Sequence, residues 1–438
     1  MLIPVAIGRN AVLINQVVGQ ACWTSKMNKQ YGRAISENFI PANMPGCQMM
    51  SNLNFVPVSS SATIGPIGSY DNIGKFVLQM APEANRLNYQ YKDFKFSWWE
   101  PNSFFYYPYL LISAFYGLKY KNIRQEYNIP KEVTIIGDSG GFQNMTQAGT
   151  VNPIQVLGWQ EENCNVGFIF DHPISANEIP EIKIKKQFTT VENGQLVLKN
   201  RKNTDMKLYG VIQGHTYEEQ EDILEMYKQT NTFDQYDGFS IGGLVPISGN
   251  IETLTQVLTC FFDNFKDYNK PLHILGLSGT TSIALINYLM ATYNKPNLTY
   301  DSSTYGAGAI RLEWYNIFNN YKLSFGTENN TNTLKHLPCL CPVCSQVKDA
   351  NIVKAGGSIP GAILSLHNLW QYIQYSYFIS SLRDDKNILK DFILTKTDLN
   401  PKLLQFIDEA KQTGYIEAYK KYSYLFSKVK GKQFSLVL

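Results

Sequence analysis

From about residue 133 onward the chain alternates between two hydrophobic patterns. Short apolar or β-branched runs end at a glycine or a polar cluster, and after each comes a stretch with apolar residues at helical spacing. The runs are "VTIIG" before Asp138, "VGFIF" before Asp171, "LYGVI" before Gln213, "DGFSI" before Gly242, "LHILG" before Leu277 and "LTY" before Asp301. They are apolar at nearly every position rather than at every second one, the pattern of parallel strands buried on both faces. Between them, "YEEQEDILEMYKQ", "IETLTQVLTCFFDNF" and "TTSIALINYLMATY" repeat apolar residues three and four apart, as amphipathic helices do. Strand–helix units in series predict a parallel sheet. The polar residues of interest fall just after the strands, where a closed barrel gathers its functional groups. An open doubly wound sheet would concentrate them at one switch point. The expected fold class is α/β, a (β/α)8 TIM barrel with insertions. Its first two strands have to come from residues 1–130, and "MLIPVAIG" is a fair first strand.

Two stretches break the rhythm and read as insertions. Residues 182–202 begin "IKIKKQFTTVENGQLVLKN", which predicts a basic β-hairpin turning at Glu192-Asn193-Gly194 and carrying Lys183, Lys185, Lys186 and Lys199. Residues 94–109, "FKFSWWEPNSFFYYPY", are densely aromatic. Trp98, Trp99, Phe104 and Phe105 there could stack bases, but core or dimer interface is the stronger expectation. The tail "LNPKLLQFIDEAKQ" and "YIEAYKKYSYLF" reads as helices with a basic end. The organisation expected is a catalytic barrel over 1–325, a zinc-binding subdomain over 326–384 and a helical extension over 385–438.

Composition adds little beyond this frame. The chain has 438 residues, 44% hydrophobic and 17% charged, which suits a large core and excludes a disordered protein. A net charge of +3 argues neither for nor against nucleic acid. "MLIPVAIGRNAVLINQVVGQ" lacks a charged segment leading into a long apolar core, so no signal peptide is expected. No run of uncharged apolar residues approaches the ~18 of a membrane span, so no membrane partner is expected. The cysteines number seven, an odd count, with four scattered and three bunched. That is unlike a secreted disulfide framework and points to a reducing cytoplasm, bacterial or of a phage-infected host.

The bunched thiols lie in "CLCPVCS": Cys339, Cys341 and Cys344, with His367 downstream. Three sulfurs and one imidazole nitrogen make a structural zinc set with no coordination position left for water. At Gly137 the chain reads "GDSGGFQ", whose first five letters also surround the nucleophilic serine of chymotrypsin-like proteases. A serine nucleophile at Ser139 would need a histidine base and an orienting acid. The protease fold is all-β and usually disulfide-bonded, however, and this segment follows a parallel-strand run. Taken singly, each aspartate after a strand has an ordinary structural alternative. Asp301 and Asp138 could cap the helices that follow, and Asp171 could form an Asx turn before Pro173.

Read in order, "DSGGFQ", "VIQG", "IGGLV", "TYDSS" and Cys-x-Cys-x-x-Cys with a later His resemble the tRNA-guanine transglycosylase family. "YDSSTYGAGAIR", "LPCLCPVCS" and "LHNLW" look most like its archaeal branch. The resemblance covers about residues 133–375. It implies a (β/α)8 barrel with a zinc subdomain, and a pentosyltransferase that swaps a base through a covalent glycosyl-enzyme. It implies Asp301 as the nucleophile on C1′ and Asp138 as the general acid/base. Asp171 would read the guanine edge, with Gln213 and the backbone at Gly243 and Leu244 as further base contacts. Ser139, Gly140, Gly141, Phe142 and Gln143 would shape the pocket. The chemistry suits these residue types. One carboxylate traps an oxocarbenium-like centre, a second group moves protons, and two displacements retain configuration. A carboxylate at Asp171 is a natural acceptor for the N1–H and N2–H donors of guanine.

The pattern departs from the family in two places. The chain lacks an arginine-rich stretch after the nucleophile, with Thr304-Tyr305-Gly306 there instead, and only a short helical tail follows "HNLW" in place of RNA-docking domains. This combination resembles the transglycosylases of phages and bacterial modification clusters that place 7-deazaguanines in DNA. The expected partners are therefore DNA and a free 7-deazaguanine base, 7-cyano-7-deazaguanine by that resemblance, with a homodimer as a further expectation. Lys183, Lys185, Lys186 and Lys199 are the candidates for contacts to a DNA backbone from which the target base is flipped, beside the alternative of an ordinary solvated hairpin. The alternatives are a transglycosylase acting on tRNA and, second, a non-catalytic nucleic-acid-binding partner subunit.

Overall fold

A computed structural model describes residues 53–59, 97–100, 103–146, 151–325, 334–354 and 358–426. Eight parallel strands close into a barrel: β1 (Leu53–Ser59), β2 (Tyr109–Ser113), β3 (Thr134–Asp138), β4 (Val166–Phe168), β5 (Lys207–Gln213), β6 (Gly238–Gly242), β7 (Leu272–Ile274) and β8 (Leu298–Ser302). Closure comes from β1 against β8, with Val56 opposite Asp301 and Phe55 opposite Tyr300. β3 to β8 fall on the apolar runs picked out in the sequence, and nearly all of their residues are buried. Helices cover the outside of the sheet, which is why the strands show no polar face.

The first strand is Leu53–Ser59, and "MLIPVAIG" lies outside the described residues. The four aromatics singled out in the aromatic segment are core, one of the two outcomes expected for them. Trp98, Trp99, Phe104 and Phe105 are buried. The Trp98 indole donates to the Tyr109 carbonyl (3.1 Å), and Phe105 meets Trp370 at 5.1 Å between ring centroids.

The predicted basic hairpin is a correction. Pro180–Asn200 is one helix of 21 residues, and it is the ordinary outer helix between β4 and β5. Its inward positions are Lys183, Gln187, Thr190, Val191, Gly194 and Val197, a spacing of three and four. Half of that stripe is polar, while Ile182, Ile184, Phe188 and Leu196 are exposed, so the hydrophobic pattern reads partly inside out. Asn193-Gly194 is no turn. A Cβ on Gly194 would lie 2.1 Å from the Tyr236 hydroxyl, so close packing requires the glycine.

After β8 come a short helix (Thr304–Ile310) and an antiparallel hairpin of β9 (Glu313–Asn316) and β10 (Tyr321–Ser324). The cysteine segment follows, then a long helix, Ser358–Ser381. Asn368 on that helix accepts from the Tyr315 amide and donates to the carbonyls of Tyr305 and Glu313, tying the long helix, the hairpin and the short helix after β8 together. The tail forms helices at Lys386–Lys396, Pro401–Thr413 and Tyr415–Tyr422. Their apolar faces join the outer layer of the barrel, with Leu403, Leu404, Phe406 and Ile407 fully buried. Asp408 accepts from the Tyr288 hydroxyl (2.9 and 3.0 Å), and Asp263 accepts from the Tyr415 amide (3.0 Å). Among the described residues, no helix is long and apolar enough to cross a membrane.

Candidate active site

Each strand from β3 to β8 delivers a polar group to the C-terminal end of the barrel. Asp138 ends β3, Asp171 lies just past β4, Gln213 ends β5 and Gly243 follows β6. His273 lies within β7, and Asp301 within β8. Parallel strands all present the same end to the same face, so residues far apart in sequence converge there.

Asp171 is the hub of one half. Its Oδ1 accepts from the Ser139 hydroxyl at 2.8 Å and its Oδ2 from the Gln213 amide at 2.6 Å. Burial pushes its carboxyl up from the usual range, while these two donors pull it back. Ser139 is fully buried, and its oxygen also accepts from the Gly141 amide at 3.2 Å. Its proton is committed to a carboxylate and no histidine bonds it among the described residues, so it is a pocket strut and not an activated nucleophile. The Gly140 backbone has φ +79, a left-handed conformation that favours glycine. At Gly141 a Cβ would sit 2.4 Å from the Asp171 carbonyl. Phe142 comes next and leaves 58% of its surface exposed.

Asp138 is the perturbed group. Its carboxyl is raised to about 7, first by burial and then by the neighbouring carboxylates of Asp171 and Asp301. Hydrogen bonds from Ser113 and from the Gly140 amide (3.1 Å) oppose the shift. The Gly140 contact is a local turn ahead of the helix that starts at Gly141, and it coexists with the electrostatic perturbation.

Asp301 does not cap the helix behind it, whose first residues follow Ser303 without a side-chain cap. Its Oδ1 instead accepts from His273 Nε2 (3.0 Å) and from the Gly276 amide (3.0 Å). Gly276 has φ +71, and a Cβ there would meet Val245 at 2.8 Å. Asp301 Oδ2 has no hydrogen-bond partner among the described residues.

The far wall is set by His215, whose Nε2 meets the Gly243 carbonyl at 2.9 Å. Gly243 has φ +75, and Gln213 Oε1 is buried without a partner. Leu244 is buried beside it. Behind this wall stands the Pro180–Asn200 helix. Gln187 donates to the carbonyls of Gln213 (2.6 Å) and Glu219 (2.7 Å), and Asn193 to that of Phe170 (3.0 Å). Lys183 is buried and paired with Glu219 at 2.7 Å, and Lys186 is paired with Glu178. These two lysines, expected to contact a nucleic-acid backbone, are struts beneath the site. Lys185 and Lys199 are exposed.

Sequence reasoning missed the parts played by His273, Ser113 and the Gln187 strut. A histidine inside the apolar run "LHILG" was the one available signal. Ser113 and Gln187 carry none, because their roles exist only across strand and helix packing.

The Cys/His cluster is assembled as the spacing implied. The ligand atoms of Cys339, Cys341, Cys344 and His367 lie within 4.8 Å of one another, a set that could hold a metal ion. His367 Nδ1 is 3.3 Å from both Cys341 Sγ and Cys344 Sγ, and its Nε2 meets the Tyr315 carbonyl at 2.8 Å. A carbonyl only accepts, so Nε2 carries the proton and Nδ1 offers its lone pair to the cluster. Trp314 stacks on the ring at 4.7 Å.

Curated relatives align with roughly two thirds of this chain. A tRNA-guanine(15) transglycosylase of Methanococcus aeolicus is 28% identical over 295 residues, 65% of this chain and 42% of the relative. One from Methanocaldococcus jannaschii is 25% identical over 332 residues, 71% of this chain and 47% of the relative. A queuine tRNA-ribosyltransferase of Prochlorococcus marinus is 23% identical over 303 residues, 63% of this chain and 77% of the relative. The chain spans less than half the length of the two archaeal relatives. No family model matches it.

Proposed function

We propose, from its similarity to tRNA-guanine transglycosylases, that this chain is a member of that superfamily and exchanges a guanine of a nucleic acid for a free guanine-like base. The observation that carries the reading is the carboxylate set. Asp301 offers a free Oδ2 at the barrel mouth, and Asp138 beside it is held near neutrality. Asp301 Oδ2 attacks C1′ of the target nucleoside as the C1′–N9 bond breaks, and the electron pair leaves with the base. Protonated Asp138 supplies a proton to the departing base and recovers one from the incoming base. The second displacement runs the first in reverse and restores the configuration.

Asp171 reads the N1–H and N2–H edge. Each carboxylate oxygen can accept more than one hydrogen bond, so the donors from Ser139 and Gln213 leave room for the base. Gln213, Gly243 and Leu244 complete the edge, and Gly140, Gly141 and Phe142 border a slot for a flat ring. The cysteine cluster fits a structural zinc, since it is tetradentate, mostly buried and supported by an outer hydrogen bond on His367. Zinc there would tie the long helix, through His367, to the cysteine segment 339–344 and take no part in the exchange.

The relatives' names favour tRNA as the polymer and lend no support to the DNA expectation. The test is incubation with labelled guanine or 7-cyano-7-deazaguanine and with tRNA and duplex DNA side by side. Label entering tRNA in an Asp301-dependent way supports the reading. Entry into DNA alone replaces the polymer, and entry into neither overturns the exchange activity.

A further inference from the structure

His273 is fully buried in β7, in register with Thr299 on β8. Thr299 and Asp301 are two apart on one strand and share a face. The imidazole spans both: Nδ1 lies 2.7 Å from Thr299 Oγ1 and Nε2 lies 3.0 Å from Asp301 Oδ1. The Phe168 ring packs against it at 4.8 Å. A hydroxyl can donate into Nδ1, which leaves Nε2–H for the carboxylate. The Gly276 amide supplies a second donor to the same oxygen.

We propose that His273 is a positioning residue for the nucleophile: held by Thr299, it anchors Asp301 through Oδ1 and so makes Oδ2 the oxygen that bonds C1′. The proposal rests on the assignment of Asp301 as nucleophile made above. In the glycosyl-enzyme Oδ2 is esterified and Oδ1 becomes the carbonyl oxygen. When the Oδ2–C1′ bond breaks, the electron pair returns to the carboxylate, and the donors on Oδ1 stabilise that returning charge. They therefore act on turnover and on breakdown of the intermediate, and leave affinity for the free base alone.

The experiment compares three variants with wild type in base exchange, base binding and trapping of the covalent intermediate on denaturing gels. Gln places its amide nitrogen where Nε2 was, whereas Asn reaches only the Nδ1 position. His273→Ala and His273→Asn are expected to lose about 10²-fold in kcat, as when one preorganised donor to a developing charge is removed. They should accumulate more glycosyl-enzyme and bind free base as wild type does. His273→Gln should recover most of the rate. If His273→Ala turns over within about threefold of wild type, if Gln and Asn are equally impaired, or if base affinity falls along with kcat, the proposal is overturned. With wild type active and Asp301→Ala inactive, such a result removes the role of His273 and leaves the exchange reading intact. An inert wild type removes both. Imidazole ¹⁵N spectra of wild type and Asp301→Asn test the pairing without altering His273. They should show the Nε2–H tautomer at His273 and a clear shift in Asp301→Asn, and an unmoved resonance would break the pairing itself.

Discussion

The Cys/His cluster and the barrel mouth both gather buried polar groups, and they satisfy them in opposite ways. In the cluster three sulfurs and a nitrogen aim at one point, and the outer nitrogen of His367 is occupied by a backbone carbonyl. At the mouth three carboxylates face one opening without a cation among the described residues, and Asp138 answers by holding its proton to about 7. On the proposed reading a bound cation would complete the cluster and make it a brace. The mouth would do the chemistry, with Asp138 perturbed and Asp301 Oδ2 unbonded among the described residues, as carboxylates at functional clefts tend to be.

The sharpest way to break this contrast is to remove one member from each side. Asp301→Ala should lower exchange by about 10⁴-fold or more while circular dichroism and melting stay close to wild type. Retained activity would mean that another group attacks. Cys344→Ser should do the reverse, with zinc content falling from one per chain to none and stability dropping by about 4 kcal/mol or more. Metal analysis and thermal melts read that outcome, and an unchanged melt would deny the cluster its structural role.

Asp138 tests the electrostatic half. Its folded value of about 7 stands above the ordinary 3.8, so between those pH values the native state holds a proton that the unfolded chain releases. Its contribution to stability is complete below about pH 4 and declines as pH rises through 7. Asp138→Asn should therefore be more stable than wild type at pH 8, by up to about 4 kcal/mol, with the gap closing near pH 4. Urea melts at the two pH values measure it. In wild type, formation of the glycosyl-enzyme should slow above about pH 7 as the acid is lost, and rapid-quench trapping across pH would show whether it does.

The smallest effect separates strut from contact on the Pro180–Asn200 helix. Lys183→Ala leaves Glu219 Oε1 without its ammonium partner and should destabilise the protein by about 1–3 kcal/mol. The salt dependence of nucleic-acid binding should stay as in wild type. A flattened salt slope would return Lys183 to the phosphate-contact role it was first expected to play.

The two regions also differ in how far they could be read from the chain. The cysteine set was legible because its ligands are local in sequence and chemically rare, and His367 closes it from one helix. The strands from β3 to β8 were legible because strands covered on both faces have to be apolar throughout. Asp138, Asp171, Gln213 and Asp301 were visible as the polar residues that interrupt or end those runs. The Pro180–Asn200 helix was misread because its inward face sets Lys183, Gln187 and Thr190 beside Val191 and Val197, while Ile182, Ile184, Phe188 and Leu196 face outward. His273 was visible only as a histidine without a purpose.

The sequence by itself determined the βα rhythm, the closed thiol cluster and the order in which the aspartates arrive. Those follow from short-range spacing and from the apolar demand of a covered sheet. Only the tertiary structure decided that Ser139 is tethered to Asp171, that Asp138 is pushed up by burial and by two other carboxylates, and that His273 reaches across to Asp301. Such relations depend on barrel closure bringing residues from separate strands within hydrogen-bond and Coulomb range, and no local pattern along a chain records them.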